Sequence, residues 1–97
     1  MLYIAADHGG YKLKKRIMRY FKNELKTKIE DLGAFEYDKD DDYPDYALPL
    51  LKKVSANKED KGILVCGSGQ GMCIMANKFK NVRTTLGYNI ESAEMGR

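Results

Sequence analysis

Cys66 ends the apolar run Gly62-Ile63-Leu64-Val65 and opens a turn in which glycine recurs at alternate positions, Gly67, Gly69 and Gly71, with Ser68 and Gln70 between them. The pattern predicts a strand feeding a tight turn with a thiol at its mouth. Glycines there let the backbone take positive φ and let its N–H groups approach a ligand unobstructed, and a helix starting near Gln70 adds its positive dipole end. A phosphate or a developing oxyanion fits such a cradle. A thiol in these surroundings gains thiolate character and can serve as a base or a nucleophile. The plainer alternative is a small buried residue at a strand end. A nucleophile of the triad type wants an oriented imidazole, and the single histidine, His8, lies at the other end of the chain. Cys73, within the apolar segment Met72 to Ala76, reads as core.

The same grammar occurs at the start of the chain, where Leu2-Tyr3-Ile4-Ala5-Ala6 runs straight into Asp7-His8-Gly9-Gly10. Taken alone, an Asp-His pair is a helix cap with a surface imidazole. Set on the same sheet edge as the Cys66 turn, it becomes a ligand for sugar hydroxyls or phosphate. That requires the first and third strands to be neighbours, as the first-wound half of a parallel sheet makes them. Two nucleotide motifs fail on spacing. The dinucleotide fingerprint needs G-x-G-x-x-G, and here the third glycine comes one residue early; the P-loop needs Lys-Ser or Lys-Thr after its last glycine, and Gly71 is followed by Met72.

The elements that must hold these turns alternate between strand and helix. After the first glycine turn, Leu13, Ile17, Phe21 and Leu25 recur at helical spacing, while Lys12, Lys14, Lys15, Arg16, Arg19 and Lys22 occupy the other faces and read as solvated surface. Lys28 to Leu32 predicts a short second strand closed by Gly33, and the acidic run Asp38 to Asp42 an exposed loop that lacks the glycine and terminal glutamate of a calcium loop. Asp42-Tyr43-Pro44-Asp45 starts a helix running toward Ala56, with Pro44 at its first position and Pro49 expected to kink it or delay its start. A third strand follows at Gly62 to Val65, then a helix from about Gln70 to Phe79, a fourth strand at Val82 to Leu86, and a helix capped by Asn89. The fold class is α/β: a Rossmann-like, three-layer α/β/α arrangement with a parallel sheet, whose ligands bind beyond the carboxyl ends of the strands.

At 97 residues and 43% apolar content the chain is sized for a single domain. By surface scaling it buries roughly 60 to 70% of its unfolded surface, which favours further burial against a partner subunit. A formal charge of +3, with 17 basic and 14 acidic residues, lacks the electrostatic footprint of a nucleic-acid binder. Two cysteines without C-x-x-C spacing read as reduced thiols in a cytoplasmic protein. No apolar stretch reaches the roughly 18 residues of a membrane span, and no signal-peptide pattern precedes the first strand. The ending at Arg97, in the first turns of a helix, suggests a shortened chain or exchange with another subunit.

With these residues placed, the chain resembles the type B ribose-5-phosphate isomerase family, which includes the galactose-6-phosphate isomerase subunits. The matching segments are Asp7-His8-Gly9-Gly10, Asp42-Tyr43-Pro44-Asp45-Tyr46-Ala47, Gly62 to Met72, and Ala76-Asn77-Lys78 with Val82-Arg83, collinear over nearly the whole chain. The resemblance implies a fifth strand in the full-length fold and an aldose–ketose isomerase of the pentose phosphate pathway that interconverts ribose 5-phosphate and ribulose 5-phosphate through an enediolate. In that reading Cys66 is the base, Ser68 positions or polarises the substrate oxygens, and the N–H groups of Gly67, Ser68, Gly69, Gln70 and Gly71 stabilise the enediolate. Asp7 and His8 bind the sugar phosphate, and Tyr43 lines the pocket. The resemblance implies no metal or organic cofactor, and a homodimer or homotetramer. In the family a ring-opening His-Asn pair and phosphate-binding arginines lie beyond the position of Arg97, so residues 1–97 are expected to be one isomerase domain lacking its C-terminal portion. Two alternatives stand beside this one: a sugar-phosphate binding or regulatory module without turnover, and an isomerase of galactose or allose 6-phosphate.

Overall fold

The central strand, β1 (Leu2–Ala6), is buried at every residue from Tyr3 to Ala6, as expected of a strand covered on both faces. The computed structural model describes residues 1–40, 42–67, 70–84, 86–87 and 90–95, with the backbone alone at 70, 90, 92 and 93. After β1 come α1 (Tyr11–Asn23), β2 (Glu30–Asp31), α2 (Tyr43–Ala56), β3 (Lys61–Val65), α3 (Gln70–Asn77) and α4 (Ile90–Met95). The sheet is parallel, in the order β2-β1-β3, and β1 pairs with β3 along its full length, from Leu2 opposite Lys61 to Ala6 opposite Val65. Beyond β2 the backbone stays bonded to β1: Leu32 N–H donates to Ile4, Ala6 N–H to Gly33 and Ala34 N–H to Ala6.

Side chains of a strand alternate between faces, and β1 uses this to build two cores. Tyr3 and Ala5 pack with Ala47, Leu50 and Leu51 of α2 and Ala76 of α3. Ile4 and Ala6 turn the other way, toward Val65 and toward Ile17 and Met18 of α1. Helices thus cover both faces, the three-layer arrangement expected. Among the described residues no helix is long and apolar enough to cross a membrane.

Three local expectations need correction. The inward face of α1 is not the Leu13–Leu25 series, because Leu13 is 50% exposed and Leu25, beyond the helix end, is 48% exposed. The residue sealed inside is Lys14, at 0% exposure, which the spacing had placed on solvated surface. Its Nζ donates to both carboxylate oxygens of Asp31, at 2.8 and 3.0 Å, and to the carbonyl oxygen of Ala34. The ammonium is buried because three acceptors meet it there. Around it, the Tyr11 and Phe35 rings lie with centroids 5.4 and 5.8 Å away.

The second correction concerns α2, which runs unbroken from Tyr43 to Ala56 through Pro49. Pro49 and Asp45, whose carbonyl loses its partner, are both exposed, so the carbonyl is open to solvent and the late start is not found. The start itself is as expected: the Asp42 carboxylate accepts from Tyr43 N–H at 2.9 Å, although Tyr43, not Pro44, is the first helical residue.

The third correction is the fourth strand. Residues 82–84 and 86–87 are not in a strand, while Thr85 and the Asn89 cap lie outside the described residues. The Asn77 side chain occupies the backbone of Thr84, accepting from its N–H at 2.9 Å and donating to its carbonyl at 3.1 Å. An amide side chain presents the same donor and acceptor as a strand neighbour and takes its place.

Two outcomes follow from the buried polar contacts. Lys14→Ala leaves the Asp31 carboxylate without its cation and should cost about 3 kcal/mol in urea denaturation, and Asp31→Asn, which leaves the fully buried ammonium without a counter-charge and turns one of its acceptors into a donor, should cost at least as much. Burial, the Asp60 and Glu30 carboxylates and a hydrogen bond to Asp60 push the Tyr3 phenol above 10.0. The folded state therefore holds that proton more tightly than the unfolded chain does. Its stabilising effect is complete below the unfolded value and is lost as pH rises through the folded one. In thermal melts from pH 9 to 12, Tyr3→Phe should lose less stability than the parent; parallel curves would reject this origin.

Candidate functional site at the carboxyl edge of the sheet

Because Ala6 stands opposite Val65 in a parallel pair, the residues that follow them, Asp7 and Cys66, leave the sheet side by side. The two turns touch. A Cβ on Gly9 would come within 2.9 Å of Gly67 N and 3.3 Å of Gly67 Cα, so only glycine lets the first turn approach the second this closely. Asp7 is buried, and its carboxylate accepts from Gly9 N–H at 2.9 Å. The aspartate therefore caps its own turn; α1 itself begins after Gly10 with no side-chain cap.

His8 is half-buried beside this turn, with the Tyr37 ring edge-on to it at 6.4 Å between centroids and an interplanar angle of 89°. Cys66 is half-buried too, and no disulfide joins it to Cys73. Cys73 is less enclosed than expected: it is half-buried where α3 meets the following segment, its Sγ 3.9 Å from the Thr84 carbonyl oxygen.

Tyr43, the first residue of α2, closes the side of the site next to α3. Its ring sits where a Cβ of Gly71 would fall, with ring carbons 3.0 Å from that position, so any larger residue at 71 would push Tyr43 away. The space above Gly67 is different: among the described residues a Cβ there would meet nothing within 4 Å. The expected positive φ is not found at Gly67 or Gly71; of the described glycines only Gly33 has it, at 113°. At Gly9 and Gly71 glycine is needed for close approach. Ser68 and Gly69 lie outside the described residues, as does the Gln70 side chain, while the α3 backbone from Gln70 onward presents its N-terminal end to this edge.

The structure thus brings together Asp7, His8, Cys66, Gly67, Tyr43 and Gly71. Sequence reasoning missed Tyr37, which sits in the polar loop after β2 without any periodic signal, and missed Lys14, whose charge disguised it. The acidic run is exposed, with Asp40 N–H bonded to the Asp38 carboxylate at 3.0 Å. Among the described residues no three His, Cys, Asp or Glu side chains gather as metal ligands. A separate cleft of about 690 Å³, lined by Ser55, Ala56, Lys58, Asn81, Val82 and Arg83, opens at the opposite edge. There α2 ends at Ala56, and Lys58 and Arg83 supply two cationic side chains.

Known proteins match this arrangement over nearly its whole length. The sequence profile of the Ribose/Galactose Isomerase family matches residues 2–97. A probable ribose-5-phosphate isomerase B of Mycoplasma pneumoniae is 41% identical over 96 residues, covering 99% of this chain and 62% of that protein. Ribose-5-phosphate isomerase B of Mycobacterium leprae is 38% identical, with 99% and 59% covered. The chain spans about three fifths of the length of these curated relatives. Among solved structures, a ribose 5-phosphate isomerase of Thermotoga maritima superposes with a TM-score of 0.90 at 34% identity, covering 99% of this chain and 65% of that one. The Mycoplasma genitalium ribose-5-phosphate isomerase B with bound ribulose-5-phosphate gives 0.78 at 45% identity, covering 84% and 53%. A shared fold, a match across the paired turns and identities of this size place the chain in the ribose/galactose isomerase family.

Proposed function

We propose that this chain is the working edge of an aldose–ketose isomerase that interconverts ribose 5-phosphate and ribulose 5-phosphate, a step of the pentose phosphate pathway. The observation that supports it is the register of β1 with β3, which sets Cys66 beside the Asp7-His8 turn. In this reading the Cys66 thiolate takes the proton from C2 of the open-chain aldose. The C2–H electron pair forms the C1–C2 double bond, and the carbonyl pair moves onto O1, giving an enediolate. The thiol then returns its proton to C1, while the C2 hydroxyl proton passes to O1. The result is the ketose.

Negative charge on the enediolate is stabilised by the N–H groups of Gly67, Ser68, Gly69, Gln70 and Gly71, since dipoles already oriented need no reorganisation during reaction. Ser68 polarises the substrate oxygens, Asp7 and His8 hold the sugar phosphate, and Tyr43 bounds the pocket beside Gly71. No metal or organic cofactor takes part. Residues 1–97 act as one isomerase domain, cytoplasmic and self-associated as a homodimer or homotetramer. The exposed Ile74 of α3 and Met95 of α4 support association.

Incubation of the protein with ribose 5-phosphate in deuterated water tests the reaction directly, because proton abstraction exchanges the C2 hydrogen. Exchange supports the isomerase. Ligand-induced thermal stabilisation without exchange leaves only a binding module, and neither effect rejects the sugar-phosphate reading; faster exchange of galactose 6-phosphate would reassign the substrate. Cys66→Ala should lower exchange by about 10² or more while changing the dissociation constant for ribose 5-phosphate by less than about twofold. Near-normal exchange in that variant would remove Cys66 as the base.

A further inference from the structure

The cleft at the amino edge of the sheet is built from two stretches that the fold ties together. Ser55, in the last turn of α2, donates through its hydroxyl to the Lys80 carbonyl at 2.6 Å, which joins the helix to the segment after α3. Val82 N–H donates to the Phe79 carbonyl at 3.3 Å, and Asn81 takes a left-handed φ of 65°, so the chain turns there and brings Arg83 to the cleft. Val54, Phe79 and Val82 pack against the core that contains Tyr3 and Leu51. Both walls are therefore in place before any ligand arrives, which spares a ligand the cost of ordering them.

Lys58, from the turn after α2, and Arg83, from the segment after α3, are both exposed, and no carboxylate is among the lining residues. Among the described residues neither cation has an ion-pair partner. The stretch from Lys52 to Arg83 holds seven basic residues against two acidic ones, Glu59 and Asp60, and Asp60 is taken by the N-terminal ammonium at 3.0 Å. The remaining residues are net acidic, so the chain's formal charge of +3 hides this concentration. The carbonyl end of α2 opposes an anion with roughly half an elementary charge, and two full cationic charges outweigh it. An arginine fork grips two phosphate oxygens at once, while a lysine adds a point charge on a flexible stem. At about 690 Å³ the cleft has the size of a small-molecule site. Its polar lining suits a charged ligand, and one cation from each stretch suits a ligand with two anionic groups.

We propose that this cleft is a second anion site, separate from the carboxyl edge, which takes a small molecule carrying a diphosphate group. Arg83 and Lys58 are its anchors, and the Asn81 amide is a neutral donor beside them. The site does not depend on the function proposed above.

Inorganic pyrophosphate, titrated at constant ionic strength and followed by backbone amide resonances, is the probe. Saturable shifts are expected at Lys58 and from Asn81 to Arg83. Both anchors are exposed, so Arg83→Ala and Lys58→Ala should leave thermal stability nearly unchanged. Each should weaken pyrophosphate binding about tenfold, the range of a lost charge-assisted hydrogen bond. Lys52→Ala, which removes an exposed charge of α2 outside the lining, should change affinity by less than about twofold. Equal losses in Lys52→Ala and Arg83→Ala would reduce the effect to diffuse positive charge and overturn the site. Shifts confined to Gly67 and Gly71 at the carboxyl edge would overturn it too, as would the lack of saturation at millimolar pyrophosphate.

Discussion

Parallel pairing of β1 with β3 is the constraint on which the rest depends. Five consecutive register pairs, ending at Ala6 and Val65, bring two turns separated by nearly sixty residues of sequence to the same edge. A one-residue slip would exchange the faces of every side chain in the slipped strand. Ile4 would leave the α1 side for the α2 side, and Asp7 and Cys66 would no longer emerge together. Register here is guarded by the different widths of the two cores: alanines Ala5, Ala47 and Ala76 admit close approach around Tyr3 on one face, while Ile4 and Val65 meet Ile17 and Met18 on the other.

The second constraint is electrostatic. A fully buried ammonium is expensive unless its donors are satisfied, and Lys14 satisfies them with acceptors from one short stretch, the Asp31 carboxylate and the Ala34 carbonyl. This ties α1 to the short edge strand β2, whose two assigned residues could not hold the sheet edge by themselves. An apolar residue at 14 could fill the space, but it could not choose these partners. The exacting geometry of the ammonium fixes where the chain goes after β2, and therefore where the loop carrying Tyr37 begins.

Much of this architecture was legible in the sequence, because apolar runs ending in glycine turns, a proline in a first helical turn and an N-cap aspartate each have a local cause. Cys66, Asp7, His8 and Tyr43 could be singled out for the same reason: they stand at the ends of elements. What stayed hidden depends on partners distant in sequence. Lys14 reads as surface until Asp31 and Ala34 are brought to it. Leu13 and Leu25 continue an apolar spacing, yet the sheet meets α1 on the face of Ile17 and Met18. The stretch from Val82 is rich in β-formers, but Asn77 supplies the pairing groups to Thr84. Tyr37 could not be found at all from pattern, since nothing local distinguishes it from its exposed neighbours.

The proposed division of labour between base and binding groups follows from how each is held. Cys66 directly follows the last register pair of β3, so its position is insensitive to which apolar side chains fill the core, provided the register survives. His8 sits on a turn, and its imidazole meets edge-on a ring contributed by another loop. A shift of about 1 Å in a reacting group can cost two orders of magnitude in rate, whereas a ligand-binding imidazole tolerates looser placement at a smaller loss of affinity. The stiffer support therefore falls to the group with the tighter tolerance.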